Sequence, residues 1–92
     1  MNRSRTILVT GGGTGIGAAT ARMLAESGHQ VAICGRRAAA LRAVAAETGA
    51  FDLVCDIADS HQVDRLVGAV TAEFGGLDVH YGELEARRAT LS

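Results

Sequence analysis

Ninety-two residues, 48% of them apolar, with a formal net charge of −1, describe at most one small globular domain and exclude a disordered chain. So balanced a charge gives no long-range field that would recruit nucleic acid or an anionic membrane surface. A domain this short buries only about 60–65% of its unfolded surface, so its core is thin.

The first apolar run, residues 6–10, is continuous and β-branched and predicts a buried strand. Arg3 and Arg5 precede it as in a secretion signal, but glycines interrupt the run far too early for a signal sequence or a membrane span. A cytoplasmic location is therefore expected. The run leads into Thr10-Gly11-Gly12-Gly13-Thr14-Gly15-Ile16-Gly17, and an apolar-periodic segment, 16–27, leads out. Strand, glycine loop and helix form the setting in which a glycine cluster binds phosphate. The sharp turn calls for backbone angles that glycine adopts cheaply, and a pyrophosphate close to the main chain leaves no room for a Cβ. The first amides of the helix have no intrahelical partners and point at the anion with the helix dipole behind them.

Ile16, Ala19, Thr20, Met23 and Leu24 recur at helical spacing, and Gly28 follows the helix end. Residues 30–34 form a second apolar run, broken by Gly35-Arg36-Arg37. Leu41, Val44, Ala45 and Thr48 mark a second helix, stopped by Gly49. Residues 51–55 predict a third strand, ending at Asp56. Asp59 or Ser60 caps a third helix, with Gln62 placed three after Asp59 as in a capping box. Its stripe is Val63, Leu66, Val67, Val70 and Phe74, and Gly75-Gly76 ends it. Leu77-Asp78-Val79 opens a fourth apolar run. The order β-α-β-α-β-α-β with short turns implies an α/β fold. It is the N-terminal half of a doubly wound, Rossmann-type parallel sheet with helices on both faces. Right-handed crossovers put strands one, two and three side by side, and the third helix returns on the other face to set strand four beside strand one.

Cys34 and Cys55 are read as small buried hydrophobes, reduced in a cytosol, and neither they nor His29, His61 and His80 have metal-ligand spacing. No metal site is expected. Glycine at position 35 removes the acidic group that would repel a 2′-phosphate, and Arg36 and Arg37 supply charge-assisted hydrogen bonds worth about 1.5–3 kcal/mol each. That charge pattern favours NADP(H) over NAD(H), with NAD(H) left open as the alternative. Two arginines that merely opened a helix in solvent would be mildly unfavourable there.

Thr10-Gly11-x-x-x-Gly15-x-Gly17 resembles the cofactor signature of the short-chain dehydrogenase/reductase family. Gly35-Arg36-Arg37, Cys55-Asp56-Ile57 and Gly75-Gly76-Leu77-Asp78 stand in the family's order, so the resemblance covers residues 6–79. It implies that the loop from Gly11 through Gly13, Thr14, Gly15 and Ile16 to Gly17 wraps the pyrophosphate and adenosine ribose. It implies that Asp56 and Ile57 flank the adenine, Asp56 accepting from the exocyclic amine, and that Arg36 meets the ribose end, with Arg37 next to it as a further candidate cofactor contact. Without the family, Asp56 is a strand-end carboxylate that caps the next loop.

The sequence also departs from the family. His80-Tyr81-Gly82-Glu83 stands where the family has Asn-Asn-Ala-Gly, so residues 1–79 are read as a partial dinucleotide-binding domain and 80–92 as a non-family tail. The family's later catalytic serine and Tyr-x-x-x-Lys have no counterpart: Tyr81, the only tyrosine, is followed four residues on by Glu85, and all nine basic residues are arginine. No catalytic residue is therefore assigned. The expectation is a chain truncated before the catalytic residues of an NADP-dependent carbonyl/alcohol oxidoreductase. The alternatives are a non-catalytic nucleotide-binding module that needs a partner chain, or an inert fragment. Truncation would leave apolar surface exposed near Ile7, Val9, Val67 and Val70, which predicts self-association through the incomplete sheet, a partner, or aggregation.

Overall fold

Alternation of side chains along each strand decides which layer they join. In the computed structural model, which describes residues 5–11, 13, 15–76 and 79–81, the elements are β1 (Thr6–Thr10), α1 (Gly15–Glu26), β2 (Gln30–Gly35), α2 (Ala38–Thr48), β3 (Phe51–Val54), α3 (Ser60–Phe74) and β4 (Val79–Tyr81). The four strands are parallel in the order β3-β2-β1-β4, as the right-handed crossovers require. Ile7 and Val9 of β1 and Val31 and Ile33 of β2 face α1 and α2, where they pack with Ala18, Ala21, Leu41 and Val44. Leu8, Ala32 and Cys34 face the other way, onto Leu66 and Val70 of α3. The α3 stripe is completed by half-buried Val63 and Phe74, and Phe74 meets Phe51 edge to face at 6.0 Å.

Two expectations are corrected here. The apolar stripe of α1 is turned relative to its predicted position. Ile16 and Met23 are 87% and 59% exposed, and Ala18 and Ala21 are buried with Leu24 and Ala25 packed beside them. Small side chains let this helix lie close on the sheet, so alanine and not the larger apolar residues marks the buried face. Exposure near Ile7, Val9, Val67 and Val70 is also not observed: Ile7, Val9 and Val70 are buried, and Val67 is half-buried. Ile7 and Val9 are covered by α1 and α2, and Val70 of α3 is itself seated on Leu8, Ala32 and Cys34 of the sheet. Among the described residues the large exposed hydrophobics are Ile16, Met23 and Val54.

Strand boundaries shift slightly. Cys55 lies just beyond β3, its N–H donating to the Gly35 carbonyl at 2.8 Å. β4 pairs with β1 through His80 and Tyr81, two positions past the expected strand; Leu77 and Asp78 lie outside the described residues. Arg22 Nε bridges both carboxylate oxygens of Glu47 at 3.0 and 2.8 Å, tying α1 to α2 across solvent. Such an exposed pair contributes at most about 1 kcal/mol.

Asp59 is the N-cap of α3, and Oδ1 accepts from the backbone N–H of His61 at 2.9 Å and of Gln62 at 3.3 Å. The Gln62 backbone amide, and then its side chain, hold the Asp59 carboxyl below its usual range. A carboxylate depressed in the folded state contributes stability that is present above its unfolded pKa and is lost as the pH falls through the folded value. Asp59→Ala is therefore expected to lower the melting temperature at neutral pH, and the gap to wild type should close in acid. Thermal melts followed by circular dichroism across that range check this; a gap that persists unchanged in acid contradicts it.

Candidate cofactor site

The three crossover connections leave the sheet at one edge, the carboxyl ends of β1, β2 and β3. A cleft of about 1150 Å³ opens there. Nine of the ten residues read from the sequence as cofactor contacts line it: Gly11, Gly13, Gly15, Ile16, Gly17, Arg36, Arg37, Asp56 and Ile57. The tenth, Thr14, lies outside the described residues.

The loop after β1 is built by glycine for two different reasons. Gly15, which opens α1, sits at φ +53° with open space where a Cβ would stand, so its demand is conformational. Gly13 has no such angle. A Cβ there would stand 3.1 Å from Ala40 Cβ, 3.2 Å from Leu41 N and 3.3 Å from Ala40 C, so its demand is close approach to α2. The Gly11 N–H is committed to the sheet, donating to the Cys34 carbonyl at 2.8 Å. The Gly11 amide is therefore not left for a ligand, and the first turn of α1 carries no acidic side chain to repel an anion.

The second wall is the start of α2. Arg37 is its N-cap in extended conformation (φ −104°, ψ 99°) and makes no side-chain capping bond, and no acidic residue occupies the first turn. The helix opens Ala38-Ala39-Ala40, so no local side chain satisfies its first amides. Arg36 and Arg37 are exposed, and among the described residues neither is paired with a carboxylate. An uncapped helix start flanked by two exposed guanidinium groups is an electropositive corner. α3 differs in that Asp59 satisfies its first amides internally.

The third wall is the turn after β3. Asp56 Oδ1 accepts from the Ala58 N–H at 3.0 Å, so this carboxylate does cap its own loop, the structural role the residues alone suggest. Its second oxygen has no hydrogen bond among the described residues, so the same side chain still offers an acceptor to the cleft. Cys34 and Cys55 lie under the cleft, both free and buried. Burial, with the neighbouring Cys55 adding to it, pushes the Cys34 thiol up to about 12; burial and then Asp56 and Asp59 raise Cys55. Neither is a thiolate at neutral pH, so the site holds no nucleophilic sulfur.

Sequence reasoning did not single out Ala40, Ala58 or Thr20 as lining residues. Thr20 was placed in the apolar stripe of α1. It instead borders the cleft and donates to the Ile16 carbonyl at 2.8 Å, and a hydroxyl amid apolar neighbours was the available signal.

A four-stranded parallel sheet, a glycine turn into α1 and a cleft across the strand ends define the N-terminal half of a Rossmann-type dinucleotide-binding domain. The short chain dehydrogenase family model matches residues 5–81, and the chain belongs to that family. Over 89 residues it is 47% identical to 2,5-dichloro-2,5-cyclohexadiene-1,4-diol dehydrogenase of Sphingobium indicum, a match covering 95% of this chain and 36% of that protein. An alignment of that extent in a 92-residue chain runs past β4. A variant of actinorhodin polyketide ketoreductase with NADPH superimposes with a TM-score of 0.80 at 34% identity, over 84% of this chain and 31% of that one. The 3-ketoacyl-(acyl-carrier-protein) reductase of Brucella melitensis complexed with NADH gives 0.81 at 33% identity, over 83% and 32%. The chain thus spans about a third of the length of the proteins it matches.

Proposed function

We propose that this chain forms the adenosine-binding half of the nicotinamide-dinucleotide site of a short-chain carbonyl/alcohol oxidoreductase, with NADP(H) preferred to NAD(H). The observation that carries the preference is the electropositive corner, in which Gly35 leaves no acid at the end of β2 while Arg36 and Arg37, unpaired among the described residues, stand beside the uncapped start of α2. In this reading the 2′-phosphate sits against the two guanidinium groups and the pyrophosphate against the first turn of α1. Asp56 accepts from the adenine amine through its second oxygen, and Ile57 packs on the base. When bound, the dinucleotide supplies or accepts the hydride. This chain's own residues bind its adenosine end and hold it along the strand edge. No residue here is assigned to proton transfer, because the family's serine and Tyr-x-x-x-Lys have no match within these 92 residues. Turnover by this chain alone is not expected, and the carbonyl substrate is chosen by loops other than those that build this cleft.

Calorimetric titration of the chain with NADP⁺ and with NAD⁺ tests the reading. NADP⁺ should bind at least about tenfold more tightly, the equivalent of one charge-assisted hydrogen bond. Equal affinities would remove the specificity claim, and no binding of either nucleotide would remove the site.

A further inference from the structure

The turn that carries Asp56 is held by a residue outside the cleft lining. Gln62 lies in the first turn of α3, and its side-chain amide spans two elements. Its Oε1 accepts from the Asp56 N–H at 2.8 Å, and its Nε2 donates to Asp59 Oδ2 at 3.2 Å. The expected capping box would have returned Gln62 to the N-cap backbone. That N–H, of Asp59, donates instead to the Asp56 carbonyl at 3.0 Å, and Gln62 reaches three residues further back, to the strand end.

Resting on the dinucleotide reading above, we infer that Gln62 is a positioning residue that sets Asp56 for recognition of the exocyclic amine of adenine. Asp56 is fixed at three points, its N–H by Gln62, its carbonyl by the Asp59 N–H and its Oδ1 by the Ala58 N–H. Two of these bonds lie within the turn and move with it. Of the three, only the Gln62 bond joins Asp56 itself to a side chain of α3, the helix whose Leu66 and Val70 are locked in the core with Ile57 packed against them. The free Asp56 oxygen therefore takes its direction from the α3 scaffold. Only an uncharged amide suits position 62, because one end must accept from an N–H while the other must donate to a carboxylate. Glutamate would keep the acceptor and set a second carboxylate against Asp59. Leucine would supply neither end.

The test measures, by calorimetry, the affinities of NADP⁺ and of its hypoxanthine analogue, in which a carbonyl replaces the 6-amino group. It uses wild type, Gln62→Leu, Gln62→Glu and Asp56→Asn. Wild type should favour adenine, and all three variants should lower that preference by about 3- to 10-fold, the worth of one hydrogen bond. A merely structural loss would weaken both nucleotides alike and leave the ratio unchanged. Gln62→Leu with the wild-type ratio overturns the role of Gln62 and leaves the dinucleotide reading standing. Wild type that binds both nucleotides equally overturns the adenine contact and with it this inference. Should Gln62→Leu not fold, hydrogen exchange on wild type decides: the Asp56 amide should be protected, and exchange at the free-peptide rate overturns the tether.

Discussion

Replacing Arg36 and Arg37 together by alanine is expected to weaken NADP⁺ binding about 10- to 100-fold and to change NAD⁺ binding by less than about threefold. In the proposed site each guanidinium–phosphate contact would be a charge-assisted hydrogen bond, worth about 1.5–3 kcal/mol when well made. Both side chains are exposed, so salt screens them and the lower part of that range applies. The fold should not suffer. Neither arginine is paired among the described residues, so removing it orphans no carboxylate. Two cations at the start of α2 oppose its dipole, so their loss is neutral or slightly favourable for the helix. Unchanged melting temperature with lost NADP⁺ affinity is the signature. Raising the ionic strength should shrink the wild-type advantage and leave the double variant nearly unaffected. NAD⁺ affinity falling in parallel with NADP⁺ would show that the arginines serve the common part of the nucleotide or the fold.

Gly13→Val should cost both cofactors together. Two of the three atoms nearest a Cβ at position 13 are backbone, at Leu41 N and Ala40 C, and backbone inside a helix cannot rotate away. Either α2 retreats from the loop or the loop swings out of the cleft. Overpacking of this kind costs about 1–3 kcal/mol. In the proposed site it also displaces the loop against which the pyrophosphate would sit, so NADP⁺ and NAD⁺ should each bind more than about tenfold less tightly. The melting temperature should fall as well, because Leu41 is a core residue, 1% exposed. Gly15→Ala is the informative companion: it meets open space but demands φ +53° of an alanine, which costs about 1–2 kcal/mol. Wild-type melting and wild-type binding in Gly13→Val would refute the close approach of loop and helix.

The topology was legible in the sequence because its signals are local. Gly49 and Gly75 close α2 and α3, Asp59 opens α3, and the continuous apolar runs of β1 and β2 call for a helix layer on each face. The cleft was legible because the fold fixes where its residues go: each sits one turn beyond a strand end, and three such turns share an edge. What the sequence hid was set by distance in space. Nothing in the glycine run says that Gly13 answers to Ala40 while Gly15 answers to its own backbone angle. The buried face of α1 was misplaced because alanine is apolar enough for either face, and only the close seat of the helix on the sheet selects Ala18 and Ala21 over Ile16 and Met23. Burial of Ile7, Val9 and Val70 was missed for a related reason: cover was reckoned from elements expected further along the chain, whereas α1 and α2 already cover Ile7 and Val9, and the sheet covers Val70. Gln62 was recognised as part of a cap, but its reach to Asp56 depends on how β3 meets α3.

The most direct test of the site as a whole is a titration of isotope-labelled protein with adenosine 2′,5′-bisphosphate, followed by amide chemical shifts. Saturable shifts should gather at Gly13, Gly15, Gly17, Arg36, Arg37, Asp56, Ile57 and Ala58, all at the carboxyl edge of the sheet. Arg5 and His29, whose backbone N–H to Nδ1 bond of 3.1 Å marks the opposite edge, should stay still. No saturable shift, or shifts centred on Arg5 and His29, would contradict a dinucleotide site built by the glycine turn, Arg36 and Asp56.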